Sequence, residues 1–296
     1  MTRRWDFGKI ATRLGRDLMR DDGERAIFFY SRHPISAEII LSKLRASRGK
    51  LDGLRPEELY PHDQDHYGGL DANDVLGAAT GIGDGAKVAD FCAGLGGPAR
   101  YFAHRYGAFV TGVELTPARV KGANELTQLV GLQERVRIVE GNIMAAPLAD
   151  KSIDVVISQE ALLHIPDRRR AMSEAFRILK QGGRLAFTDW VAHESLAADD
   201  VDLLWEGQAV QALESPRSYR DLLTQIGFRV SSSYELTAQW ALLLRVRLEM
   251  YQKLRKEAEA AGTPSGHDAF YKSYVRLADL MLDHVLGGVR IVAEKD

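Results

Sequence analysis

Asp90, Gly94, Gly96, Glu114, Asn142, Gln159, His164 and Asp189 are the residues of this chain whose types and spacing suggest chemistry. Residues 88–99 read Val-Ala-Asp-Phe-Cys-Ala-Gly-Leu-Gly-Gly-Pro-Ala. A short apolar run ends at Asp90, a glycine-rich turn follows, and Pro98 opens a helix-like segment. Proline suits a first helical position because its missing N–H would find no intrahelical partner there. Gly94, Gly96 and Gly97 let the backbone turn tightly and approach a ligand with no Cβ in the way. Glu114 closes a second apolar run 20 positions after Gly94, where an acid that grips a ribose hydroxyl is expected. Together these pieces predict a strand–turn–helix corner of the nucleotide-binding type.

Gly94-x-Gly96-x-x-Ala99 also fits a dinucleotide pattern, which keeps a nicotinamide-linked oxidoreductase as an alternative of another class. Asp90 separates the two. A carboxylate just ahead of the glycines would repel a pyrophosphate seated on the helix N-terminus. It suits a cofactor with an ammonium group and no phosphate, such as S-adenosylmethionine. A non-catalytic cofactor-binding module is a third reading, against which His164, Asp189 and the added helices argue.

The elements that must position these residues alternate. Strand candidates are Lys87–Phe91, Phe109–Glu114, Val136–Glu140, Ile153–Ser158 and Arg184–Thr188, with helical spacing at Pro98–Tyr106, Pro117–Val130 and Arg168–Leu179. Gln181-Gly182-Gly183 reads as the turn between the last helix and the last strand. The fold class is α/β, a Rossmann-like, doubly wound, mostly parallel sheet with helical N-terminal and C-terminal lid additions. Ligands collect at the carboxyl ends of such strands, where Asp90, Glu114, Asn142, Gln159 and Asp189 all fall.

Residues 1–60 are expected to form a helical extension, and 61–296 the core, with a helical insertion and cap at about 199–286. Within the extension, Tyr30 is expected on an amphipathic helix packed on the core. The cap reads as two helices divided at Ser215-Pro216, a strand over Phe228–Tyr234, and helices near Ala238–Ala261 and Asp268–Leu286. Gly262–Gly266 breaks the last pair, and Gly288–Ala293 is a terminal strand. Arg168-Arg169-Arg170 reads as a solvated first turn, and Trp190, Trp205 and Trp240 as packing residues.

A net charge of −2 argues against a general nucleic-acid binder. No apolar run is long enough to span a bilayer, and the first residues lack the apolar core of a signal peptide. The lone Cys92 excludes an intrachain disulfide and a cysteine-rich metal site, so no metal is expected. A cytoplasmic protein, a monomer or homodimer acting on a small molecule without nucleic acid or membrane, is the expectation.

Over roughly residues 60–190 the chain resembles the class I S-adenosylmethionine-dependent methyltransferases. Val88–Gly97 resembles their first motif, with Cys92 in place of a common first glycine. The stretch Ser158-Gln-Glu-Ala-Leu-Leu-His164, followed by Phe187-Thr-Asp-Trp190, is similar to the phosphoethanolamine and sarcosine/dimethylglycine methyltransferases and to sugar O-methyltransferases. The resemblance implies that Gly94 and Gly96 approach the methionine part of S-adenosylmethionine, Glu114 holds its ribose, and Leu115 lies beside adenine. Gly141-Asn142-Ile143 matches a loop that usually reads Gly-Asp, so Asn142 and Ile143 are candidate adenine contacts. Tyr67, in the loop Asp63–Leu70, is expected beside the methionine tail, with Asp90 and Gln159 completing the cofactor set.

The expected reaction is methyl transfer to a small acceptor, with an amine preferred and O-methylation of a sugar or phenolic natural product as the alternative. S-adenosylhomocysteine would be the product. His164 is expected to be the catalytic base, oriented by Asp189.

Overall fold

The computed structural model describes residues 23–31, 33, 35–260 and 268–296. The first 22 residues of the expected extension and the Gly262–Gly266 break therefore lie outside the described residues. Three helices, α1 (Glu24–Tyr30), α2 (Ala37–Arg48) and α3 (Pro56–Asp63), precede the core. Then come α4 (Gly69–Thr80), β1 (Lys87–Phe91), α5 (Gly97–Tyr106), β2 (Phe109–Glu114), α6 (Pro117–Leu129), β3 (Val136–Glu140) and β4 (Ile153–Gln159). The chain continues through α7 (Arg168–Ile178), β5 (Leu179–Ala192), α8 (Ala198–Gln208), α9 (Pro216–Ile226) and β6 (Phe228–Glu235). It ends with α10 (Thr237–Ala260), α11 (Asp268–Leu282) and β7 (Leu286–Lys295).

The strands form one sheet in the order β3-β2-β1-β4-β5-β7-β6, with β7 antiparallel to both of its neighbours. The order reverses between β1 and β4, so a crevice opens at the carboxyl ends of those strands. Four of the five β1 residues are buried, because helices cover both faces of the sheet. On one face Phe91, Val156, Leu185, Phe187 and Ile291 pack with Met172, Ile178, Tyr219 and Leu223. On the other, Val88, Val110, Val155 and Ile157 pack with Leu76, Phe102 and Ala123.

Two smaller clusters hold the additions. Ile40, Leu41, Leu44, Leu54 and Leu59 bury against Leu95, Leu126 and Val130, seating α2 on α6, while α3 packs on α5. Leu204, Trp240, Leu244, Leu277, Met281 and Leu286 gather around Trp190 and Tyr67, seating the C-terminal cap over the rim of the sheet. Each fully buried Leu or Met contributes about 1.5–3 kcal/mol, so the cap is fastened by its own apolar core.

One expectation changes. β5 begins at Leu179, not Arg184, and Gln181-Gly182-Gly183 lies inside it as an irregularity. Pairing with β4 passes from Ile153↔Leu179 to Val155↔Arg184, and Gly182 takes up the extra length at φ 71°. Helix α4 follows directly on the polar loop. Leu76 and Gly77 pack it on Phe102 and Tyr106. Among the described residues, no helix is long and apolar enough to cross a membrane.

Candidate active site

Asp90 lies opposite Gly112 and Ile157 in the sheet, with 3% of its surface exposed. Its Oδ2 has no partner among the described residues. Burial, reinforced by the nearby Glu114 carboxylate, pushes its pKa up to about 8. The turn that follows places Cys92, Gly94 and Gly96 at φ 61°, 55° and 74°. That geometry brings the Gly94 N–H within 2.9 Å of Glu114 Oε2, to which it donates. Glu114 Oε1 accepts from the Thr116 N–H at 2.8 Å. The end of β2 is thereby tied to the glycine turn.

Asn142 Oδ1 accepts from the Met144 N–H at 2.8 Å and caps the short turn Ile143–Ala145. Its amide NH₂ is the group left to face a ligand, while the Ile143 side chain is committed to the core. Leu115 stands at the other side of this crevice, where its Cδ2 crowds Gly23 at the start of α1.

Loop 64–68 is bolted over the turn. Arg100 and Asp63, both fully buried, pair at 2.9 Å, and Arg100 also donates to Leu95 O, Ala123 O and Thr127 Oγ1. Gly97 passes so close to the Asp63 carbonyl that a Cβ would come within 2.0 Å of it. His66 Nε2 donates to Gln64 Oε1 at 3.0 Å, leaving Nδ1 to accept from Gln159 Nε2 at 3.1 Å. Burial brings the His66 pKa down to about 4. Gln159 thus props this loop, and its Oε1 has no partner among the described residues.

The Tyr67 ring, expected beside a methionine tail, packs among Trp190 of β5 and Trp240 and Arg247 of the cap. It stacks on Trp190 at 6.4 Å, meets Trp240 edge-on at 5.0 Å, and lies 4.8 Å beneath the Arg247 guanidinium. Its backbone N–H donates to Glu160 Oε2 at 2.5 Å. Glu160 sits just past β4 at φ 44°, a conformation costly for any residue with a side chain. Its Oε1 has no partner among the described residues, and burial pushes its pKa up to about 8.

His164 is 8% exposed, in the short turn Leu162–His164. Its Nδ1 donates to the Ala209 carbonyl at 3.0 Å, so Nε2 is the acceptor for the Tyr30 hydroxyl at 2.8 Å. Burial lowers its pKa to about 4, which makes it neutral at pH 7 and a weaker base than expected. Asp189, fully buried, does not touch it. The Asp189 oxygens accept from the Leu163 N–H at 3.3 Å and the Tyr219 hydroxyl at 2.5 Å, so the expected orienting bond is replaced by the Ala209 carbonyl. Arg168 corrects the solvated-turn reading: it is 5% exposed and donates to Tyr219 and Ala212.

Helix α1 closes over this group. Arg25 donates to the carbonyls of Trp205 and Glu206, and Tyr30 reaches His164. The Arg119 guanidinium lies 4.5 Å from the Tyr30 ring centroid, donates to Asp65 at 2.8 Å, and flanks Gly94. Its Nε and Nη1 have no partner among the described residues.

The sequence reading passed over Glu160 and Arg119. Glu160 lies within the Ser158–His164 stretch, where Gln159 and His164 drew the functional reading, and Arg119 belongs to an unremarkable helix start. The crevice residues fit an S-adenosylmethionine-like ligand. An unpartnered carboxylate oxygen at Asp90 suits an ammonium, and a Cβ-free approach at Gly94 leads to the acid Glu114. Among the described residues, no cluster of His, Cys, Asp and Glu could hold a metal ion.

Residues 89–187 match the sequence family described as "Methyltransferase domain". A glycine/sarcosine/dimethylglycine N-methyltransferase of Actinopolyspora halophila is 35% identical over 143 residues, which are 48% of this chain and 25% of that protein. A sarcosine/dimethylglycine N-methyltransferase of Halorhodospira halochloris is 29% identical over 208 residues, 70% of this chain and 71% of the other. The chain thus spans only a quarter of the first relative. The Haemonchus contortus phosphoethanolamine N-methyltransferase 2, solved with phosphomonomethylethanolamine and S-adenosylhomocysteine, superposes with a TM-score of 0.72 at 20% identity. That match covers 90% of this chain and 60% of the other, and is a likeness of fold.

Proposed function

We infer, for a chain that belongs to the class I S-adenosylmethionine-dependent methyltransferases, that its reaction is N-methylation of a small amine. Glu160 carries this reading: its carboxyl has one oxygen fixed by the Tyr67 N–H and the other without a partner among the described residues, next to a tyrosine whose ring packs with Trp190 and Trp240. A carboxylate accepts from an ammonium or amine N–H, and aromatic faces favour a methylated cation by about 0.5–2 kcal/mol per contact. The named activities of the relatives point to the same substrate chemistry.

The donor supplies a methyl group already activated on a sulfonium, so the protein has no electrophile to build. Asp90 would hold the donor's ammonium, Glu114 a ribose hydroxyl, and the Asn142 amide an edge of the adenine beside Leu115. Glu160, with its pKa near 8, is mostly protonated at pH 7 in the free protein and becomes the carboxylate base when an arriving ammonium favours its charge, whereas His164, near 4, is too weak a base. We therefore assign proton acceptance to Glu160 and closure to the Tyr30–His164 pair, which shuts α1 over the crevice and excludes water. Positioning then supplies most of the rate, with effective molarities reaching about 10⁵–10⁸ M in favourable systems.

The N-terminal helices and the 199–286 cap are, in this reading, two lids on one core. A free small molecule is the partner, in keeping with a net charge of −2, and the single cysteine is compatible with cytoplasmic residence. A panel of amine, hydroxyl and thiol acceptors with isotope-labelled methyl donor tests the assignment. Label should enter amines; transfer to sugars or phenols with every amine silent would overturn it.

A further inference from the structure

His164 is held by two segments, its own turn at 162–164 and the loop 209–214 after α8. The same three buried side chains fasten both segments from behind. Leu163 donates its N–H to Asp189 Oδ1 and accepts the Gln211 N–H on its carbonyl at 2.9 Å. Asp189 Oδ2 accepts from the Tyr219 hydroxyl at 2.5 Å, and the Tyr219 oxygen accepts from Arg168 Nε at 3.2 Å. Arg168 Nη2 then donates to the carbonyl of Ala212. Starting on the turn that carries His164, this chain of bonds ends on the loop whose Ala209 carbonyl meets His164 Nδ1.

We propose that Arg168, Tyr219 and Asp189 are positioning residues that hold His164 in its Nδ1–H tautomer, with Nε2 turned toward Tyr30. The role given to His164 rests on the reading above; the positioning does not. A neutral imidazole selects its tautomer by the partner offered to the other nitrogen. That partner here is a carbonyl on Ala209, held at φ 52°, which a residue with a side chain keeps only when its surroundings impose it. Three residues later, Arg168 supplies the constraint by gripping Ala212. Arg168 in turn stays buried because Asp189, across the Tyr219 hydroxyl, balances its charge. Apolar packing alone would fill the same space without fixing the direction of either backbone segment.

Tyr219→Phe keeps the ring and removes the bridging oxygen, so it separates positioning from packing. In the full chain, ¹⁵N imidazole spectra, with His164 assigned through His164→Gln, should show a single Nδ1–H pattern in the parent. Mixed tautomers are expected in Tyr219→Phe, with turnover about tenfold lower, the kinetic equivalent of one hydrogen bond, and donor affinity unchanged. Asp189→Asn keeps an acceptor oxygen and should retain more of the parent pattern than Asp189→Ala. A folded Tyr219→Phe with the parent tautomer pattern would overturn the proposal, whatever its thermal stability. Mixed tautomers with undiminished turnover would support the positioning and count against a functional His164 instead.

Discussion

The Tyr30 hydroxyl donates to His164 Nε2 at 2.8 Å, joining residues 134 positions apart in the chain. The bond links α1, outside the core, to the turn beyond β4, and Arg119 supports the Tyr30 ring from the cofactor side. A phenol and a neutral imidazole in a buried site form a latch that is complete only when α1 is down. Tyr30→Phe keeps the ring and deletes the latch. One neutral hydrogen bond is worth about 0.5–1.5 kcal/mol, so S-adenosylhomocysteine should leave the variant about 2–10 times faster in stopped flow. An unchanged release rate would remove the hydroxyl from closure.

His164 and His66 have pKa values lowered by burial to about 4. The unfolded chain protonates first, near 6.5, so stability is intact above that pH and falls as pH drops toward 4. His164→Gln should flatten part of this decline in chemical denaturation between pH 7 and 4.5. The same shift removes any acid limb near pH 6.5 from the rate profile. A His164 or His66 imidazole titrating at 6.5 by NMR would contradict the burial argument.

Asp90 moves the other way. Its pKa of about 8 leaves it mostly protonated at pH 7 in the free protein. An arriving ammonium favours the carboxylate, so donor binding should release close to one proton and tighten as pH rises from 6 to 8. Calorimetry in buffers of different ionisation enthalpy reads that proton directly. Asp90→Asn should bind more weakly and release none. Buffer-independent heats from the parent protein would place the ammonium elsewhere.

The parallel core was legible because its strands are short, mainly apolar runs with a polar residue at or next to the carboxyl end. Asp90, Glu114 and Gln159 could be placed at the rim by that rule alone. The glycine turn was legible for a similar reason, since few sequences need Gly94 and Gly96 so close together. What escaped were relationships across the chain. Nothing near Tyr30 announces a partner at His164, and nothing near Arg168 announces Tyr219, because those contacts exist only after the cap has packed. The Asp189–His164 pairing failed for the same reason: Asp189 is taken up by the Leu163 N–H and the Tyr219 hydroxyl, and His164 by the Ala209 carbonyl and Tyr30.

Glu160 offers the most decisive substitution. Glu160→Gln preserves the size of the side chain and an oxygen to accept the Tyr67 N–H, but cannot take a proton. If Glu160 is the base, turnover with an amine acceptor should fall by about 10²–10⁴, with donor affinity nearly unchanged. Stability should move the opposite way. The unfolded carboxyl ionises near 4.5 while the native one keeps its proton up to about 8, so its contribution to stability is lost as pH rises from about 4.5 through 8. The amide does not titrate, so the variant's melting temperature should gain on the parent between about pH 5 and 8 and level off above. A gain in stability alongside a loss of turnover is what a carboxylate retained for chemistry would produce. Full turnover at saturating amine, in a variant that folds, would leave Glu160 as a loop anchor and return the proton to another group.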